Sequence, residues 1–440
     1  MKKKRLLRIL ALGLPIIGGM VSQNVLNLVD TAMVGTLGDV ALAAVGLGSF
    51  ANFMGQSLVM GLGAGVQALV ARRMGEGRKG AAIEALISGL LVAVMVAVPL
   101  SLVLHWSAPL LFPFLNSDEA VIATGVPYLQ ARILGMSAVG MNFAFRGYWN
   151  GVNLSSLYLR TLVVMHTANI FLNYVLIFGA LGFPELGARG AGVGTALATY
   201  LGTLYYVYLA WRHMRRDQLK LRPPRRVLVL SVLRLSVPNG LQMLFFASGL
   251  TMLFWIIGQV GTAEVAAANV LTNVMLVAIL PAIGLGLASA SLVGQALGRG
   301  DKEDAMAWGW DVVRVAIVIL TCLGLPMVLF PEHILSVFIQ SNDTLMLAKL
   351  PLQLVGLVMA VDGVGLVLQN SLLGAGASRQ VMLVSVALQW GLFLPCAYFI
   401  GPVLGHGLLA IWSAQMVYRG LQSLSYILLW RRGAWASIEV

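Results

Sequence analysis

The sequence predicts an all-α integral membrane protein with about twelve transmembrane helices. Of its 440 residues, 59% are hydrophobic and only 10% are charged, and the mean hydropathy is +0.87. A soluble domain carries roughly 25% charged residues, so this chain has too few to cover a water-facing surface. Its two cysteines, Cys322 and Cys396, lie in apolar runs and predict neither a disulfide framework nor a metal site.

Twelve apolar segments are long enough to be membrane spans. A helix needs about 20 apolar residues to cross a hydrocarbon core roughly 30 Å thick. No extended polar insertion breaks the series, so a large soluble domain is not expected. The predicted spans are 8–35, 42–71, 83–106, 121–146, 158–180, 190–211, 229–258, 264–294, 308–330, 346–372, 381–401 and 405–430.

The positions of Lys and Arg predict the orientation of the spans. The net charge of +12 comes from basic clusters between spans, and these clusters alternate with weakly charged or acidic loops. Because cytoplasmic loops are enriched in Lys and Arg, we expect a multi-pass protein of the cell inner (plasma) membrane with both termini in the cytoplasm. The even number of spans agrees. The same distribution assigns the basic residues to cytoplasmic loops and not to a nucleic-acid site.

An internal repeat divides the chain into two halves. One constant shift along the chain superimposes Pro15 on Pro238, Gly35 and Gly38 on Gly258 and Gly261, Gly61 and Gly63 on Gly284 and Gly286, Gly77 on Gly300, and Gly151 on Gly374. We therefore expect an N-lobe at 1–217, a basic cytoplasmic linker at 218–227 and a C-lobe at 228–440. Two six-helix lobes of the same orientation are related by a pseudo-two-fold axis along the membrane normal.

Asp30 is a carboxylate inside the first predicted span. A charge there costs at least about 2.5–3.5 kcal/mol on insertion scales, so it is retained where it faces protein, water or an ion. Gln23 and Asn27 lie on the same helical face as Asp30. The residue that the repeat aligns with Asp30 is Leu253. Because the shared fold does not require a carboxylate at this position, we expect that Asp30 has a function.

Spans five and six contribute polar side chains at helical spacing. Asn169 and Asn173 are four residues apart and share a face, and Thr195 lies in span six. With Asp30 and Asn27 they form a predicted ion-coupling group. Carboxylate, amide and hydroxyl oxygens suit Na⁺, and desolvation favours the neutral form of a carboxylic acid, so H⁺ is the other candidate. Asp30, Asn169 and Asn173 are the only candidate metal site, for Na⁺. In the alternative interpretation, Asn and Thr only hold helices together, at about 0.6 kcal/mol each.

The second half carries its own intramembrane carboxylate. Asp362 lies within the tenth predicted span, and we expect it to bind substrate or a proton. The alternative is a hydrogen-bonding role at a helix break at Gly363. The other polar residues that could line a substrate cavity are Gln23, Asn239, Gln242, Asn269 and Asn273. Taken singly, each of the second-half residues also fits a role in helix packing.

Signatures of soluble enzymes are missing from the sequence. It contains no phosphate-binding loop with Lys followed by Ser or Thr, which argues against direct use of ATP. The Gly-Leu-Gly-Ala-Gly run at 61–65 is apolar and its repeat copy at 284–288 is degenerate, so helix packing explains it better than phosphate binding. We expect no enzymatic activity and no cofactor.

Three of these stretches resemble a known family. Residues 28–35, Leu-Val-Asp-Thr-Ala-Met-Val-Gly, resemble the first helix of MATE (multidrug and toxic compound extrusion) transporters. Residues 169–174, Asn-Ile-Phe-Leu-Asn-Tyr, resemble their fifth helix. Asp362 with the Leu-Gly-Ala-Gly turn at 373–376 resembles the tenth helix of the NorM-type branch. The resemblance covers essentially the whole chain and is of the bacterial type, with the NorM-like and DinF-like branches unresolved.

The resemblance implies secondary active export of cationic or amphipathic drugs or toxic compounds by alternating access, in exchange for inward H⁺ or Na⁺. By position, Asp30, Asn169 and Asn173 correspond to the ion-coupling cluster of the N-lobe. Some members carry Asp where this chain has Asn173, and NorM-type members carry Glu where this chain has Ala247. Because both carboxylates are missing here, we prefer H⁺ coupling through protonation of Asp30 to Na⁺ coupling.

The expected partners are a small organic cation or amphipathic substrate, H⁺ or Na⁺, and the lipid bilayer, and the protein is expected to act as a monomer. The alternative function is that of a lipid or lipid-linked-glycan flippase of the same superfamily. Such flippases usually resemble a longer form of this fold, with about fourteen spans, whereas this chain has about twelve. A membrane enzyme would need clustered acid–base residues near an interface. A passive channel would conduct without ion-coupled stoichiometry.

Overall fold

The computed structural model describes residues 2–216 and 223–438, which are almost entirely helical and contain no β-strand. Short 3₁₀ turns lie at Ala180–Gly182 and Ala434–Ser437, and π-helical segments lie at Ala387–Phe393 and Phe399–Val403. The helices are α1 (Lys3–Gly35), α2 (Asp39–Met60), α3 (Leu62–Gly75), α4 (Lys79–Leu115), α5 (Glu119–Ile133), α6 (Met136–Gly151), α7 (Ser155–Phe178), α8 (Gly187–Arg216), α9 (Arg226–Gly258), α10 (Thr262–Ala278), α11 (Leu280–Gly298), α12 (Lys302–Leu329), α13 (Pro331–Ser336), α14 (Asn342–Gly374), α15 (Ser378–Val386), α16 (Leu394–Tyr398) and α17 (Gly407–Arg432).

Apart from the six-residue α13, these helices form twelve rods within the described ranges. Three rods consist of two helices separated by one or two residues, namely α2 with α3, α5 with α6, and α10 with α11. A fourth rod runs from α15 through α16 and the two π-helical segments. Nine of the twelve are long and apolar enough to cross a membrane, by length and composition. The rods follow the twelve predicted spans in order, and the all-α membrane fold that the sequence predicts is confirmed.

The helix ends repeat at the interval that the sequence predicts. Helices α1 and α9 are both 33 residues long, and their first and last residues are separated by the same shift that aligns Pro15 with Pro238. The first residues of α2 and α10, of α4 and α12, of α5 and α14, and of α7 and α15 obey this shift as well. Gly77 and Gly300, which the repeat aligns, have φ angles of 74° and 77°, a left-handed backbone that glycine adopts without steric cost. The glycine repeat therefore marks turns as well as helix contacts.

The chain forms two compact units. The N-unit is Gly18–Leu244, and the C-unit is Met1–Ile17 together with Phe245–Val440. The first half of α1 thus belongs to the C-unit, and the first half of α9 belongs to the N-unit. The predicted lobes at 1–217 and 228–440 would place all of α1 in the N-lobe and nearly all of α9 in the C-lobe, and this division of the chain stays a prediction. The predicted linker at 218–227 lies partly outside the described residues.

Charged contacts anchor the first half of α1 within the C-unit. Arg5 Nη1 donates a hydrogen bond to Asp304 Oδ1 (2.6 Å), and Arg5 Nε lies 2.5 Å from Asp311 Oδ2. The Arg5 guanidinium also lies 3.7 Å from the ring centre of Trp308. Asp311 is only 6% exposed. Its pairing with Arg5 matters because a buried charge without a partner is strongly destabilising.

A close backbone approach holds the first half of α9 within the N-unit. Gly61 separates α2 from α3, and a Cβ atom at Gly61 would overlap the backbone nitrogen of Gly240 and the carbonyl oxygen of Ser236. Asn239 Nδ2 donates a hydrogen bond to the carbonyl oxygen of Gly61 (3.4 Å). These contacts are consistent with helix packing as the role of the Gly-Leu-Gly-Ala-Gly run.

Replacing Gly61 by Ala should destabilise the protein, because the added methyl group would overlap backbone atoms that cannot rotate away. Overpacking of this kind typically costs about 1–3 kcal/mol. Gly46 lies in the same rod and has no atom within 4 Å of its Cβ position, so Gly46→Ala is the matched control. That change should be neutral or stabilising by up to about 1 kcal/mol. Thermal unfolding of the detergent-solubilised variants tests the comparison, and equal unfolding temperatures for both would contradict it.

Candidate functional site

A chain of hydrogen bonds in the N-unit connects Asp30 to helices α7 and α8. Asn173 Nδ2 donates to Asp30 Oδ1 (2.9 Å) and also to Asn169 Oδ1 (3.1 Å). Asn169 Nδ2 donates in turn to Thr195 Oγ1 (3.1 Å), whose hydroxyl donates to the carbonyl oxygen of Ala191 (2.9 Å). The structure therefore brings together four of the five residues that the sequence assigns to ion coupling. We call Asp30, Asn169, Asn173 and Thr195 the N-unit cluster.

The close packing of α7 against α8 positions the N-unit cluster. Asn169 and Asn173 are 1% and 0% exposed, and they face α8 because they are one helical turn apart. Gly194 provides the space, since a Cβ atom there would overlap Asn173 Oδ1. Among the described residues, that buried oxygen has no hydrogen-bond partner. The Asn173 amide is therefore held by its two donated bonds while its acceptor is left unused.

Asn27 and Gln23 belong to a separate contact on α1. Gln23 Nε2 donates a hydrogen bond to Asn27 Oδ1 (3.2 Å), and Gln23 Oε1 lies 3.1 Å from His166 Nε2. The structure therefore links the Asn27 amide to Gln23 and not to Asp30, although all three residues lie on the predicted helical face. Gln23, which the sequence assigns tentatively to substrate binding, connects α1 to α7 one turn before Asn169.

Asp30 is held by a neutral amide and not by a positively charged side chain. It is half-buried, and in the described part of the chain it accepts one hydrogen bond, from Asn173, and forms no ion pair. Arg132 interacts with it electrostatically without a direct contact. A carboxylate with neutral hydrogen-bonding partners can take up a proton or a cation, because no fixed positive group occupies its oxygens.

The second intramembrane carboxylate, Asp362, is held by an arginine. Arg419 Nη2 lies 2.6 Å from Asp362 Oδ1 and 2.7 Å from Asp362 Oδ2, so one guanidinium nitrogen contacts both oxygens. The Arg419 side chain is 12% exposed and the Asp362 side chain 10%. Asp362 comes from α14 and Arg419 from α17, and both belong to the C-unit. The negative charge of Asp362 is thus compensated within the protein.

Further polar groups on α15 and α17 support Arg419. Arg419 Nη1 donates to Gln422 Oε1 at the long distance of 3.4 Å, and Gln422 Nε2 donates to Ser385 Oγ (3.5 Å). Ser385 Oγ and the Tyr426 hydroxyl are 2.6 Å apart. The ion pair therefore ends a buried polar network, and it also faces a small cavity whose other lining side chains are Met275, Val355, Val358, Met359 and Met416.

The remaining predicted substrate residues are divided between the two units. Asn273 Nδ2 donates to Asn269 Oδ1 (2.9 Å), and both amides are exposed on α10, the helix that also supplies Met275 to the cavity. Asn239 and Gln242 are 4% and 6% exposed and lie in the part of α9 that belongs to the N-unit, whereas Asp362 lies in the C-unit.

The sequence interpretation missed Arg419. It is an arginine within the last predicted span, flanked at helical spacing by Gln415 and Gln422. A charge at such a position needs a partner of opposite sign, and Asp362 is the acidic residue within the tenth span. The pairing could have been proposed from these two facts, but the contact itself depends on how α14 packs against α17.

A family model described as MatE matches residues 15–175 and again residues 238–399. This chain belongs to the MatE family. The two matches begin at Pro15 and Pro238, which the internal repeat aligns, so each half of this MatE chain carries the family pattern separately.

The similarity of this MatE chain to known proteins covers nearly its whole length. The "Probable multidrug resistance protein NorM" of Thermotoga maritima is 25% identical over 434 residues, covering 97% of this chain and 92% of the relative. The protein of the same name from Burkholderia pseudomallei is 28% identical over 441 residues, covering 96% and 91%.

Solved structures show the same fold as this MatE chain. A MOP superfamily transporter from Pyrococcus furiosus has a TM-score of 0.88 at 22% identity and covers 98% of this chain and 96% of its own. The outward-facing conformation of a multidrug resistance MATE family transporter of the MOP superfamily has a TM-score of 0.89 at the same identity and coverage.

Removing one member of the Asp362–Arg419 pair should destabilise this MatE chain more than removing both. Asp362→Asn or Arg419→Gln leaves a buried charge without its partner, which typically costs about 3–5 kcal/mol. The double variant leaves two neutral amides and should cost less than either single change. A double-mutant cycle on unfolding free energies measures the coupling. Arg314→Gln is the control, because Arg314 is 65% exposed and its partner Asp311 also contacts Arg5. Additive effects would show that the pair does not act as a unit.

Proposed function

We propose that this MatE chain is a secondary active antiporter that exports cationic or amphipathic drugs or toxic compounds in exchange for inward H⁺. Membership of the MatE family and the multidrug resistance names of its relatives support export of this kind. The protein would work in the cell inner membrane as a monomer, with both termini in the cytoplasm. The basic clusters between the spans support this orientation.

The observation that carries the choice of coupling residue is the contrast between the carboxylates of Asp30 and Asp362. Asp362 is compensated by Arg419 at 2.6 Å, whereas Asp30 accepts one hydrogen bond from a neutral amide and has no ion pair among the described residues. Protonating Asp362 would leave the Arg419 charge buried without its partner. Protonating Asp30 breaks no ion pair among the described residues, because Arg132 acts on it without direct contact, and we therefore assign coupling to Asp30.

The hydrogen bonds of the N-unit cluster favour H⁺ over Na⁺. Asn173 directs its Nδ2 group, and not its oxygen, toward both Asp30 and Asn169. An amide N–H₂ group cannot be a ligand of a cation, because Na⁺ is bound by oxygen atoms. A Na⁺ ion among these three residues would require Asn173 to rotate, whereas a proton can bind the free oxygen of Asp30 with Asn173 left in place.

In the proposed cycle, substrate enters from the cytoplasm or the inner leaflet while Asp30 is ionised. After the change to the outward-facing state, a proton from outside binds Asp30. The hydrogen bond from Asn173 then becomes a neutral one, and charge-assisted bonds are roughly twice as strong as neutral ones. We infer that this weaker link lets α1 repack against α7, so that substrate leaves. Release of the proton to the cytoplasm restores the starting state.

Proteoliposomes with separately imposed H⁺ and Na⁺ gradients test this proposal, with ethidium as the transported cation. We expect the H⁺ gradient to drive transport and the Na⁺ gradient to drive none. Asp30→Asn should abolish gradient-driven transport, because the amide cannot take up a proton. Glu119→Gln removes an exposed carboxylate of the N-unit and should transport like the parent. If Asp30→Asn transported as well as the parent, or if Na⁺ alone drove transport, proton coupling at Asp30 would be wrong.

Gly194→Ala should impair coupling while leaving Asp30 in place, because the added methyl group displaces Asn173. A hydrogen bond to a charged group contributes about 1.5–3 kcal/mol, so the initial rate of proton-driven ethidium transport should fall about tenfold or more. Gly202→Ala on the same helix is the control, since the three atoms nearest to its Cβ position all belong to the flexible side chain of Met165. Equal rates for the two variants would argue against a role for the Asn173–Asp30 bond.

A further inference from the structure

Three aromatic side chains and two arginines form a continuous ladder on the surface of the N-unit. The Arg160 guanidinium lies 5.8 Å from the ring centre of Tyr205, and the Tyr205 ring lies 6.1 Å from that of Tyr208. The Tyr208 and Trp211 rings are 6.5 Å apart, and the Arg215 guanidinium lies 4.1 Å from the Trp211 ring centre. Arg160 comes from α7 and the others come from α8. We call these residues the α7–α8 ladder.

The α7–α8 ladder lies where two predicted membrane spans end. Span six is predicted at 190–211, so Trp211 is its last residue, and Arg215 lies one turn beyond it. Span five is predicted to begin at 158, so Arg160 lies in its first turn, from which a long side chain can extend toward the headgroups. Tyr and Trp are enriched at this depth of a bilayer, because a ring with a polar group suits the boundary between acyl chains and water.

The exposed face of α8 changes in character toward this end. Leu204 is 65% exposed, and Tyr208 and Trp211 are each 48% exposed. Arg212 and Arg215 follow and are exposed as well. Residues three or four positions apart share one face of a helix, so these side chains form a single stripe that runs from aliphatic through aromatic to cationic. That order matches a phospholipid, whose acyl chains end at a charged headgroup.

The arginines of this stripe have no acidic partner within their own helices or the helix beside them. Helices α6, α7 and α8 contain no Asp or Glu, and Arg160, Arg212 and Arg215 form no ion pair among the described residues. In the sequence, residues 217–222 add one acidic and two basic side chains. A guanidinium stacked on a ring keeps its charge and its fork of donors, which matches the geometry of a phosphate.

The second half of the chain lacks a counterpart of the α7–α8 ladder. The repeat aligns Arg160 with Leu383 and Trp211 with Ala434. Leu383 is itself 53% exposed, so the shared fold accepts an exposed apolar side chain at the position of Arg160. Because the fold requires neither the arginine nor the ring, we expect that the ladder has a function of its own.

We propose that the α7–α8 ladder binds an anionic phospholipid, with Arg212 and Arg215 contacting the headgroup phosphate and the rings of Tyr208 and Trp211 packing beside the acyl chains. Arg160 adds positive charge at the deeper end of the ladder. Charge complementarity favours an anionic partner, and the adjoining exposed apolar side chains favour one with acyl chains over one that stays in water. The basic clusters of the sequence place this end on the predicted cytoplasmic side, where the leaflet carries anionic lipids.

A matched pair of lipids tests the charge requirement, namely phosphatidylglycerol and phosphatidylcholine with the same acyl chains. Native mass spectrometry of the purified full chain measures the dissociation constant of each lipid. Each arginine near an anionic membrane surface strengthens binding by roughly fivefold, so the parent should bind phosphatidylglycerol about tenfold or more tightly than phosphatidylcholine. Inorganic phosphate should not compete, because it has no acyl chains to lie beside the rings. Equal binding of the two lipids, or displacement of phosphatidylglycerol by phosphate, would overturn the proposal.

Three double variants separate this site from a general effect of net charge. Arg212→Gln with Arg215→Gln should reduce the preference for phosphatidylglycerol about tenfold. Arg212→Lys with Arg215→Lys retains the charge but loses the fork of donors, so it should keep part of the preference. Arg314→Gln with Arg432→Gln removes the same net charge from exposed arginines of the C-unit and should keep all of it. Thermal unfolding verifies that each variant is folded. Equal losses in the two glutamine variants would show attraction to net charge alone and contradict the proposal.

Photocrosslinking locates the bound lipid. The full chain is placed in phosphatidylcholine nanodiscs doped with phosphatidylglycerol that carries a diazirine in one acyl chain, and the crosslinked peptides are identified. In the parent, the label should be concentrated on the exposed stripe of α8 from Leu204 to Trp211, and it should decrease there when Arg212 and Arg215 are both replaced by Gln. A label spread evenly over the spans, or one unchanged by the replacements, would refute the site. Neither measurement uses an ion gradient, so failure of the antiporter proposal and failure of this inference are distinguishable.

Discussion

Polar groups inside apolar helices must find their partners within the protein, because lipid offers no hydrogen bonds. This constraint explains the main contacts of both units. In the N-unit, Asp30 is connected through neutral amides to a threonine hydroxyl, and the chain of bonds ends at a backbone carbonyl. In the C-unit, Asp362 is compensated by a full positive charge. These bonds link α7 to α8 in the N-unit and α14 to α17 in the C-unit.

The two solutions have different chemical consequences. A carboxylate with neutral partners can change its charge state without leaving an unpaired charge in the low-dielectric interior, whereas a carboxylate in an ion pair cannot. The N-unit cluster is therefore suited to ion coupling. The C-unit pair instead keeps both of its charges compensated inside the protein. The two halves therefore hold their carboxylates Asp30 and Asp362 in different ways, even though they share one fold and one spacing of helix ends.

The repeat and the division into units describe different properties of the chain. The repeat is a property of sequence and local structure, since turns and helix starts of the first half recur at one constant spacing in the second. The units are a property of packing, and their boundaries fall inside α1 and α9. Each of these helices therefore contributes to both units. In the C-unit, the ion pairs of Arg5 hold the first half of α1, and in the N-unit the contact of Gly61 with Gly240 holds the first half of α9.

The sequence by itself determined the membrane class, the twelve helical rods, the repeat interval and the residue types of the N-unit cluster. It could do so because hydropathy, glycine spacing and the four-residue period of a helix are local properties. Tertiary structure alone decided that the Asn27 amide binds Gln23, that α1 and α9 contribute to both units, and that Arg419 neutralises Asp362 across 57 residues. These outcomes depend on which helices touch and on how their faces are rotated. A single helix has several polar faces, and only its neighbours decide which of them is paired.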